Sequence, residues 1–222
     1  MISFSNVCVQ KGNKRILDGI SLELSERRIG VVGRNGSGKS TFARLFNGLE
    51  RPTSGTVSLD GSTEPKDLRR KVGFVFQNPD NQIVYPIVSE DLAFGLKNLK
   101  LPASTIRERI AEFAARFRIE HLQDRLAHQL SGGERQMVAL AGVMVMRPQM
   151  IVFDEPTTLL DLWNKKNVMK TIESLDEYVV VVSHDTELLH NFDRVLHIEE
   201  GKIVGDGEPN SVVAEYIARS EC

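Results

Sequence analysis

The stretch that decides the fold is Gly33-Arg34-Asn35-Gly36-Ser37-Gly38-Lys39-Ser40-Thr41. It fits the pattern G-x-x-x-x-G-K-[ST], in which Gly33 and Gly38 are the outer glycines. Glycines let successive backbone N–H groups turn towards a polyphosphate without a Cβ in the way. Lys39 can then reach the β- and γ-phosphates, and the Ser40 hydroxyl can ligate Mg²⁺. This phosphate loop, residues 33–41, predicts a nucleotide phosphate site.

The residues on either side of the phosphate loop have the secondary structure that such a loop requires. Before it, Ile29-Gly30-Val31-Val32 is a short apolar run that fits a buried parallel strand. After it, residues 41–47 predict a helix whose positive N-terminal end faces the phosphates. The alternative is a chance glycine turn, and the flanking strand and helix argue against it.

Length and composition indicate an ordinary globular protein. A chain of 222 residues can form one large domain or a domain with an inserted lobe. The net charge of -2 gives no reason to expect nucleic acid, which favours a basic surface. Cys8 and Cys222 lack metal-ligand spacing and predict reduced thiols. The longest wholly apolar run, residues 137–146, is too short to span a bilayer, and the N-terminus does not resemble a signal peptide.

The N-terminal region predicts strands without a catalytic pattern. Ile2, Phe4 and Val9 lie on a rough alternation, Gly12-Asn13 offers a turn, and residues 20–24 alternate as a half-buried strand does. A further strand at 56–59 precedes Asp60-Gly61, which predicts a hairpin.

A helical region follows, from about Tyr85 to Met146. Thr105 and Glu108 predict a capping box at the start of one helix. A second predicted helix begins at Ser131-Gly132-Gly133, where exposed N–H groups and a hydroxyl could bind an anion. An ordinary N-cap with glycines is the alternative for this segment taken alone.

Polar residues end three apolar strands, and ligands usually meet an open α/β sheet at the carboxyl ends of its strands. Gln77 follows one strand and could ligate Mg²⁺ or hold a water, although a plain polar loop is an equal alternative. Asp154 ends a second strand and suits Mg²⁺ binding, and Glu155 can orient or deprotonate an attacking water. His184 follows a third strand, at 179–182, and is a candidate γ-phosphate contact. The tail predicts a turn at Gly201 and a short helix from Ser211.

In this order and spacing, the motifs resemble the ATPase subunit of ATP-binding cassette (ABC) transporters. The matching positions are residues 33–41, Gln77, 130–136, 151–155, Asp161 and His184. Residues 76–82 and 94–99 resemble the energy-coupling-factor (ECF) branch, which takes up vitamins and transition-metal ions in prokaryotes. The short C-terminus looks most like the ATPase of biotin uptake systems. The alternatives are another ABC transporter class, a soluble ABC-type ATPase, or a binding module that does not hydrolyse ATP. The intact catalytic positions argue against the last.

The resemblance implies an α/β fold. It consists of a P-loop NTPase core with a mostly parallel sheet and flanking helices, an N-terminal antiparallel β subdomain and an inserted α-helical subdomain. The single domain would comprise a nucleotide-binding core at 1–84 and 147–222 and a helical subdomain at about 85–146. It would lie peripherally at the cytoplasmic face of the cell membrane, on a transmembrane coupling protein and a substrate-binding membrane protein, which carry the solute.

The resemblance also assigns the site. Two copies, or one copy and a related ATPase, would face each other head to tail. ATP would lie between residues 33–41 of one subunit and Ser131, Gly132, Gly133 and Glu134 of the other. Glu155 would be the catalytic base, His184 the γ-phosphate clamp and Asp161 part of the interface. Ser40, Gln77 and Asp154 would hold Mg²⁺.

Two positions depart from the family pattern. Lys11 stands where an aromatic residue often stacks on adenine, which leads us to expect weak discrimination between ATP and GTP. Leu159 stands where a small residue is usual, close to Asp161.

Overall fold

The computed structural model describes residues 1–220, and the predicted thiol of Cys222 lies outside them. Nine strands form in the described chain: β1 (Ile2–Lys11), β2 (Lys14–Leu24), β3 (Arg28–Val32), β4 (Ser54–Leu59), β5 (Val72–Val75), β6 (Met150–Asp154), β7 (Tyr178–Val182), β8 (Arg194–Glu199) and β9 (Lys202–Gly207). The α-helices of the same residues are α1 (Lys39–Leu45), α2 (Pro65–Lys71), α3 (Val88–Asn98), α4 (Ala103–Phe117), α5 (Gly132–Met144), α6 (Leu162–Glu173) and α7 (Pro209–Ser220).

The chain divides into two compact units. The first comprises Met1–Phe74, Gln149–Glu155 and the residues from Glu177 onwards. The second comprises Val75–Pro148 and Pro156–Asp176.

Two sheets build the first unit. The larger has the strand order β5-β6-β7-β3-β8-β9. Pairing is parallel between β6 and β7, β7 and β3, and β3 and β8, and the edge strand β9 is antiparallel to β8. The smaller sheet is antiparallel, with the order β2-β1-β4. The predicted α/β class, with its mostly parallel sheet and N-terminal antiparallel strands, is confirmed.

An aromatic cluster anchors the helix that follows the phosphate loop. Phe42 and Phe46 pack on Phe4 of β1 with ring centroids 5.0 and 5.1 Å away, and all three rings are buried. Contacts of this length between aromatic rings add to the stabilisation from burial alone. The small sheet therefore fixes the orientation of α1, which carries Lys39 and Ser40 at its start.

Helices α3 to α6 form the second unit. The apolar face of α5 is buried, including Val138, Leu140 and Ala141. Among residues 1–220, no helix is both long and apolar enough to cross a membrane.

Several sequence expectations are wrong in detail. The Asp60-Gly61 turn forms, but the hairpin is limited to one bridge between Leu59 and Ser62, because a helix begins at Pro65 and β4 pairs with β1 instead. No side chain caps α4, which begins at Ala103 after Pro102, so Thr105 and Glu108 both lie inside the helix. Helix α7 begins at Pro209, before the predicted Ser211.

Candidate functional site

The phosphate loop lies between β3 and α1, and the main chain of a neighbouring hairpin packs closely against it. A Cβ at Gly33 would collide with the carbonyl oxygen of Ile198 in β8. The N–H of Gly201, in the turn between β8 and β9, donates to the carbonyl of Ser37 at 2.9 Å. Gly201 in turn accepts a hydrogen bond from the N–H of Asp18 at 2.9 Å. The loop is therefore held from behind, and Arg34, Asn35 and Gly36 remain exposed.

Two buried groups of the loop fit a bound triphosphate. The Ser37 hydroxyl is buried and has no hydrogen-bond partner among the described residues, so it lacks the acceptor that a phosphate oxygen could supply. Lys39 is 6% exposed, and its ammonium donates to the carbonyls of Gly33 at 2.7 Å and Arg34 at 3.1 Å. Burial lowers the pKa of Lys39, and the charges of Glu155 and Asp154 partly oppose this. A polyphosphate would supply the negative charge that this buried cation needs.

Two side chains with oxygen atoms that fit a magnesium ion meet where α1 begins and β6 ends. The Ser40 hydroxyl donates to the Asp154 carboxylate at 2.9 Å, and Asp154 is 3% exposed. Burial raises the pKa of Asp154, while the Ser40 hydrogen bond and the charge of Arg44 oppose the rise. In residues 1–220 no group of three or more His, Cys, Asp or Glu side chains could hold a metal by itself. A hydroxyl and one carboxylate fit Mg²⁺, which usually completes its shell with substrate phosphates and water.

Glu155 and His184 form a close pair at the ends of β6 and β7. The His184 ring places Nδ1 2.7 Å from a carboxylate oxygen of Glu155. Glu155 is 7% exposed and has a backbone φ of 53°, a left-handed conformation that is uncommon for a residue with a side chain. Its N–H donates to the carbonyl of Val182 at 2.9 Å. The His184 side chain is 55% exposed, so the pair lies at the surface edge of the sheet.

The second unit contains the other predicted site residues. Ser131 caps α5 in a capping box, since Glu134 N–H donates to the Ser131 hydroxyl at 3.3 Å and Ser131 N–H donates to the Glu134 carboxylate at 2.7 Å. The Ser131 hydroxyl also donates to that carboxylate at 2.7 Å, and this bond is the first cause of a lowered pKa at Glu134. The sequence indicated the start of the helix at Ser131, and the structure adds that Glu134 holds the serine.

Asp161 is connected to this capping box by Asn164, a residue that sequence reasoning missed. Asp161 caps α6 and accepts hydrogen bonds from the backbone and side-chain N–H groups of Asn164 at 2.9 and 2.7 Å. These bonds lower the pKa of Asp161. The Asn164 amide approaches Gly133 so closely that a Cβ there would collide with it. Asn164 therefore joins Asp161 to the glycines after Ser131, and only the tertiary contact reveals it.

Gln77 is an exposed residue of the loop after β5. It lines a cavity of about 160 Å³ with Gly132, Gln136 and Leu160. The structure thus gathers the predicted residues into two groups. Residues 33–41, Asp154, Glu155 and His184 are in the first unit, whereas Gln77, 131–134 and Asp161 are in the second.

The two departures from the family pattern are both at accessible positions. The Lys11 ammonium pairs with Glu50 at 2.5 Å, so the lysine already has a protein partner. Leu159 is 63% exposed, and the apolar residues Leu162 and Trp163 are exposed to a similar degree.

Comparison with known proteins identifies the family. Residues 17–158 match the family model described as ABC transporter. The chain belongs to the ABC transporter ATPase family. It is therefore an ATPase that binds ATP, and the predicted family, fold and reaction are confirmed.

Relatives of this ABC ATPase match it over nearly its whole length. A Bartonella henselae protein, whose name as an ABC transporter ATP-binding protein gives no substrate, is 51% identical over 99% of this chain and 98% of its own. The biotin transport ATP-binding protein BioM of Rhizobium etli is 44% identical over 97% of each chain. The energy-coupling factor transporter ATP-binding protein EcfA1 of Caldanaerobacter subterraneus is 41% identical over 94% of this chain and 80% of its own.

Solved structures agree with this ABC ATPase in fold. The cbiO1 protein of Clostridium perfringens, part of the transporter complex cbiONQ, has a TM-score of 0.86 at 33% identity, covering 99% of this chain and 93% of its own. The ATP-binding cassette MJ0796, a dimer bound to ADP and phosphate, has a TM-score of 0.82 at 28% identity, covering 94% and 99%.

Proposed function

We propose that this chain is the energy-coupling ATPase of a prokaryotic ECF-type ABC importer, which drives uptake of a vitamin or a transition-metal ion, with biotin favoured. The observation that carries the ATPase part of the proposal is the set of contacts made by Lys39, Ser40–Asp154 and Glu155–His184. Membership of the ABC transporter family supports the coupling to transport. The ECF and biotin assignments are supported by the likeness to EcfA1 and BioM.

The first unit supplies the groups for phosphoryl transfer. In this proposal residues 33–41 bind the triphosphate, and the Lys39 ammonium moves from the loop carbonyls to the β- and γ-phosphates. Ser40 and Asp154 would hold Mg²⁺, which neutralises charge on the phosphate oxygens when bound, and Gln77 remains a predicted third ligand. Positioning and charge stabilisation of this kind provide most of the catalysis of phosphoryl transfer.

Glu155 is the proposed general base. Its carboxylate orients a water, whose oxygen bonds to the γ-phosphorus as the bond to the β,γ-bridging oxygen breaks, and it accepts the proton of that water. His184 now binds this carboxylate through Nδ1. Nε2 is the nitrogen left for the γ-phosphate, and it can donate only when the ring carries a proton there.

The composite site is a further part of the proposal. Two copies, or one copy and a related ATPase, would dimerise head to tail, so that Ser131–Glu134 of one subunit meets the ATP bound by the other. Asp161 would lie at that interface. The solved dimer of MJ0796 with ADP and phosphate supports the proposal of a dimer. Membrane subunits would anchor the dimer peripherally at the cytoplasmic face.

The variant Glu155→Gln tests the catalytic assignment. It keeps the shape of the side chain and a hydrogen-bonding oxygen but cannot accept the proton, so we expect ATP binding with very slow hydrolysis. Single-turnover cleavage of radiolabelled ATP and nucleotide affinity are measured on the same preparation. Hydrolysis by the variant at the wild-type rate would contradict the role of Glu155. The transporter type is tested separately, by identifying the membrane proteins that co-purify with the chain. Co-purification of a different class of membrane protein would contradict the ECF assignment.

A further inference from the structure

The segment that follows Gln77 forms a rigid turn. The Asn78 side chain accepts a hydrogen bond from the N–H of Asp80 at 2.9 Å. Residues Pro79–Asn81 form a 3-10 turn, and the N–H of Gln82 donates to the carbonyl of Pro79 at 2.9 Å. These local bonds fix Asp80 and Gln82 relative to each other. We call residues 77–82 the Gln77 turn.

Two side chains connect the Gln77 turn to α5. The Gln82 amide accepts from the N–H of Phe76 at 3.2 Å and donates to the carbonyl of Ala139 at 2.8 Å. The guanidinium of Arg135 donates to the Asp80 carboxylate at 2.8 Å. Each side chain thus spans from the turn to the helix, at positions about one helical turn apart on α5.

Arg135 also reaches the residue that starts α5. Its second terminal nitrogen donates to the carbonyl of Leu130 at 2.9 Å. That carbonyl belongs to the peptide group that leads into Ser131, whose N–H is held by Glu134 at 2.7 Å. A single guanidinium therefore binds both the Gln77 turn and the peptide before Ser131.

The turn and α5 also pack against each other, and Pro79 of the turn is buried. A cavity of about 160 Å³ lies beside this contact, lined by Gln77, Pro79, Gly132 and Gln136, so dispersion contacts are fewer near the start of the helix. The polar bonds of Gln82 and Arg135 therefore supply the directional part of the connection.

We infer that Arg135 and Gln82 are positioning residues, which lock the Gln77 turn to the start of α5 so that the two move together. The inference rests on the proposed function, in which Ser131 completes the ATP site of a second subunit. Loss of Arg135 should therefore damage the surface that a subunit offers to its partner's ATP. The subunit's own phosphate loop should keep its affinity for nucleotide.

The first experiment measures Arg135→Met, Arg135→Lys and Gln82→Glu in the full-length chain with Mg-ATP. Methionine keeps an unbranched side chain without donors, and glutamate keeps the acceptor for Phe76 but loses the donor to Ala139. We expect kcat to fall about tenfold for Arg135→Met, a change of about 1.4 kcal/mol in barrier. The kcat of Arg135→Lys should lie between those of Arg135→Met and wild type, because lysine keeps the charge but cannot donate to both acceptors in the geometry of a guanidinium. The matched control is Arg107→Met, an exposed arginine on α4, which should behave as wild type.

Nucleotide affinity separates this role from general damage. Binding of a fluorescent ATP analogue to the isolated subunit should stay within about twofold of wild type, since the phosphate loop is untouched. The melting temperature of each variant is measured to confirm folding. An unchanged kcat in both Arg135→Met and Gln82→Glu would overturn the inference.

A mixed-dimer experiment locates the defect. A subunit with Arg135→Met is paired with a subunit carrying Lys39→Ala, using two affinity tags and tandem purification. If Arg135 acts through Ser131, both lesions fall in one ATP site and the other site is intact. ATPase activity should then recover to the level of the reference pair, Ser131→Arg with Lys39→Ala, and exceed that of either homodimer.

The reference pair distinguishes the two possible failures. Recovery in the reference pair without recovery in the Arg135→Met pair would overturn the positioning role and leave the composite site standing. Failure of both pairs, unless the two sites must hydrolyse ATP together, would overturn the head-to-tail site itself, and with it the inference that depends on it.

Discussion

Gly201→Ala should weaken both the fold and the nucleotide site, although Gly201 touches no predicted catalytic side chain. Gly201 lies in the turn between β8 and β9 with φ at 77°, and its N–H holds the Ser37 carbonyl of the phosphate loop. A Cβ there would collide with the carbonyl oxygen of Ile16 and lie 3.1 Å from the Cα of Leu17. Both atoms are main chain and cannot rotate away.

The magnitude follows from these contacts. A left-handed conformation costs a residue with a Cβ about 1–2 kcal/mol relative to glycine. The collision would also displace the turn. This displacement would strain two 2.9 Å hydrogen bonds, from Gly201 N–H to the Ser37 carbonyl and from Asp18 N–H to the Gly201 carbonyl. Each such bond contributes about 0.5–1.5 kcal/mol. Together these terms lower the free energy of unfolding by about 2–5 kcal/mol.

Gly12→Ala is the matched control. Gly12 also has positive φ, at 58°, but no atom lies within 4 Å of the position of its Cβ. It should therefore lose only the conformational term of about 1–2 kcal/mol. Urea denaturation gives the free energies of unfolding, and titration with a fluorescent ATP analogue gives the affinities. We expect about tenfold weaker nucleotide binding for Gly201→Ala, a change of about 1.4 kcal/mol, and none for Gly12→Ala. Equal losses of stability and unchanged affinity in both variants would refute the reasoning.

Three further predictions concern other parts of the molecule. The wild-type protein should hydrolyse GTP at a rate within about tenfold of its rate with ATP. Lys11→Tyr should tighten nucleotide binding by about 0.5–1.5 kcal/mol without faster cleavage. Strict ATP preference in wild-type initial rates would contradict this. Trp163 is the single tryptophan, lies two residues after Asp161 and is 72% exposed. Its emission should shift to the blue when ATP dimerises the Glu155→Gln variant, because the interface would bury it. An unchanged spectrum in a dimer proven by light scattering would place the interface elsewhere. Asp154→Asn should raise the melting temperature of the nucleotide-free protein at neutral pH and abolish ATPase activity, because burial raises the pKa of Asp154 and its charged form is unfavourable in the folded state. The wild-type protein bears the cost of this charge at pH values above the pKa of Asp154 in the folded state, and not below its unfolded pKa of about 3.9. The gain in melting temperature from Asp154→Asn should therefore vanish in acid. A gain that persists in acid would point to another cause.

The phosphate loop and the strand ends could be predicted because their signals are local. A glycine pattern, an apolar run before it and a helical pattern after it lie within a short stretch of chain. Asp154, Glu155 and His184 follow apolar strands, and parallel strands bring their carboxyl ends to one edge of a sheet. The close pairs Ser40–Asp154 and Glu155–His184 are the tertiary result of that local pattern.

Other parts of the fold were missed where the signal is short or shared. Strand β8 is buried from Val195 to Ile198, but its sequence predicts no particular element, since a brief apolar run does not separate strand from helix. Thr105 and Glu108 have the spacing of a capping box, yet the fixed φ of Pro102 set the helix start earlier.

The sequence by itself determined the family and its ATP-binding phosphate loop, and it predicts a magnesium carboxylate and a catalytic base. The tertiary structure decided how these groups are held. Gly201 behind Ser37, Asn164 against Gly133, and Arg135 against Asp80 are contacts between residues that share no motif. The physical reason is that motif chemistry depends on residue type at short spacing, whereas support of a loop depends on main-chain atoms brought close by folding, which no local pattern records.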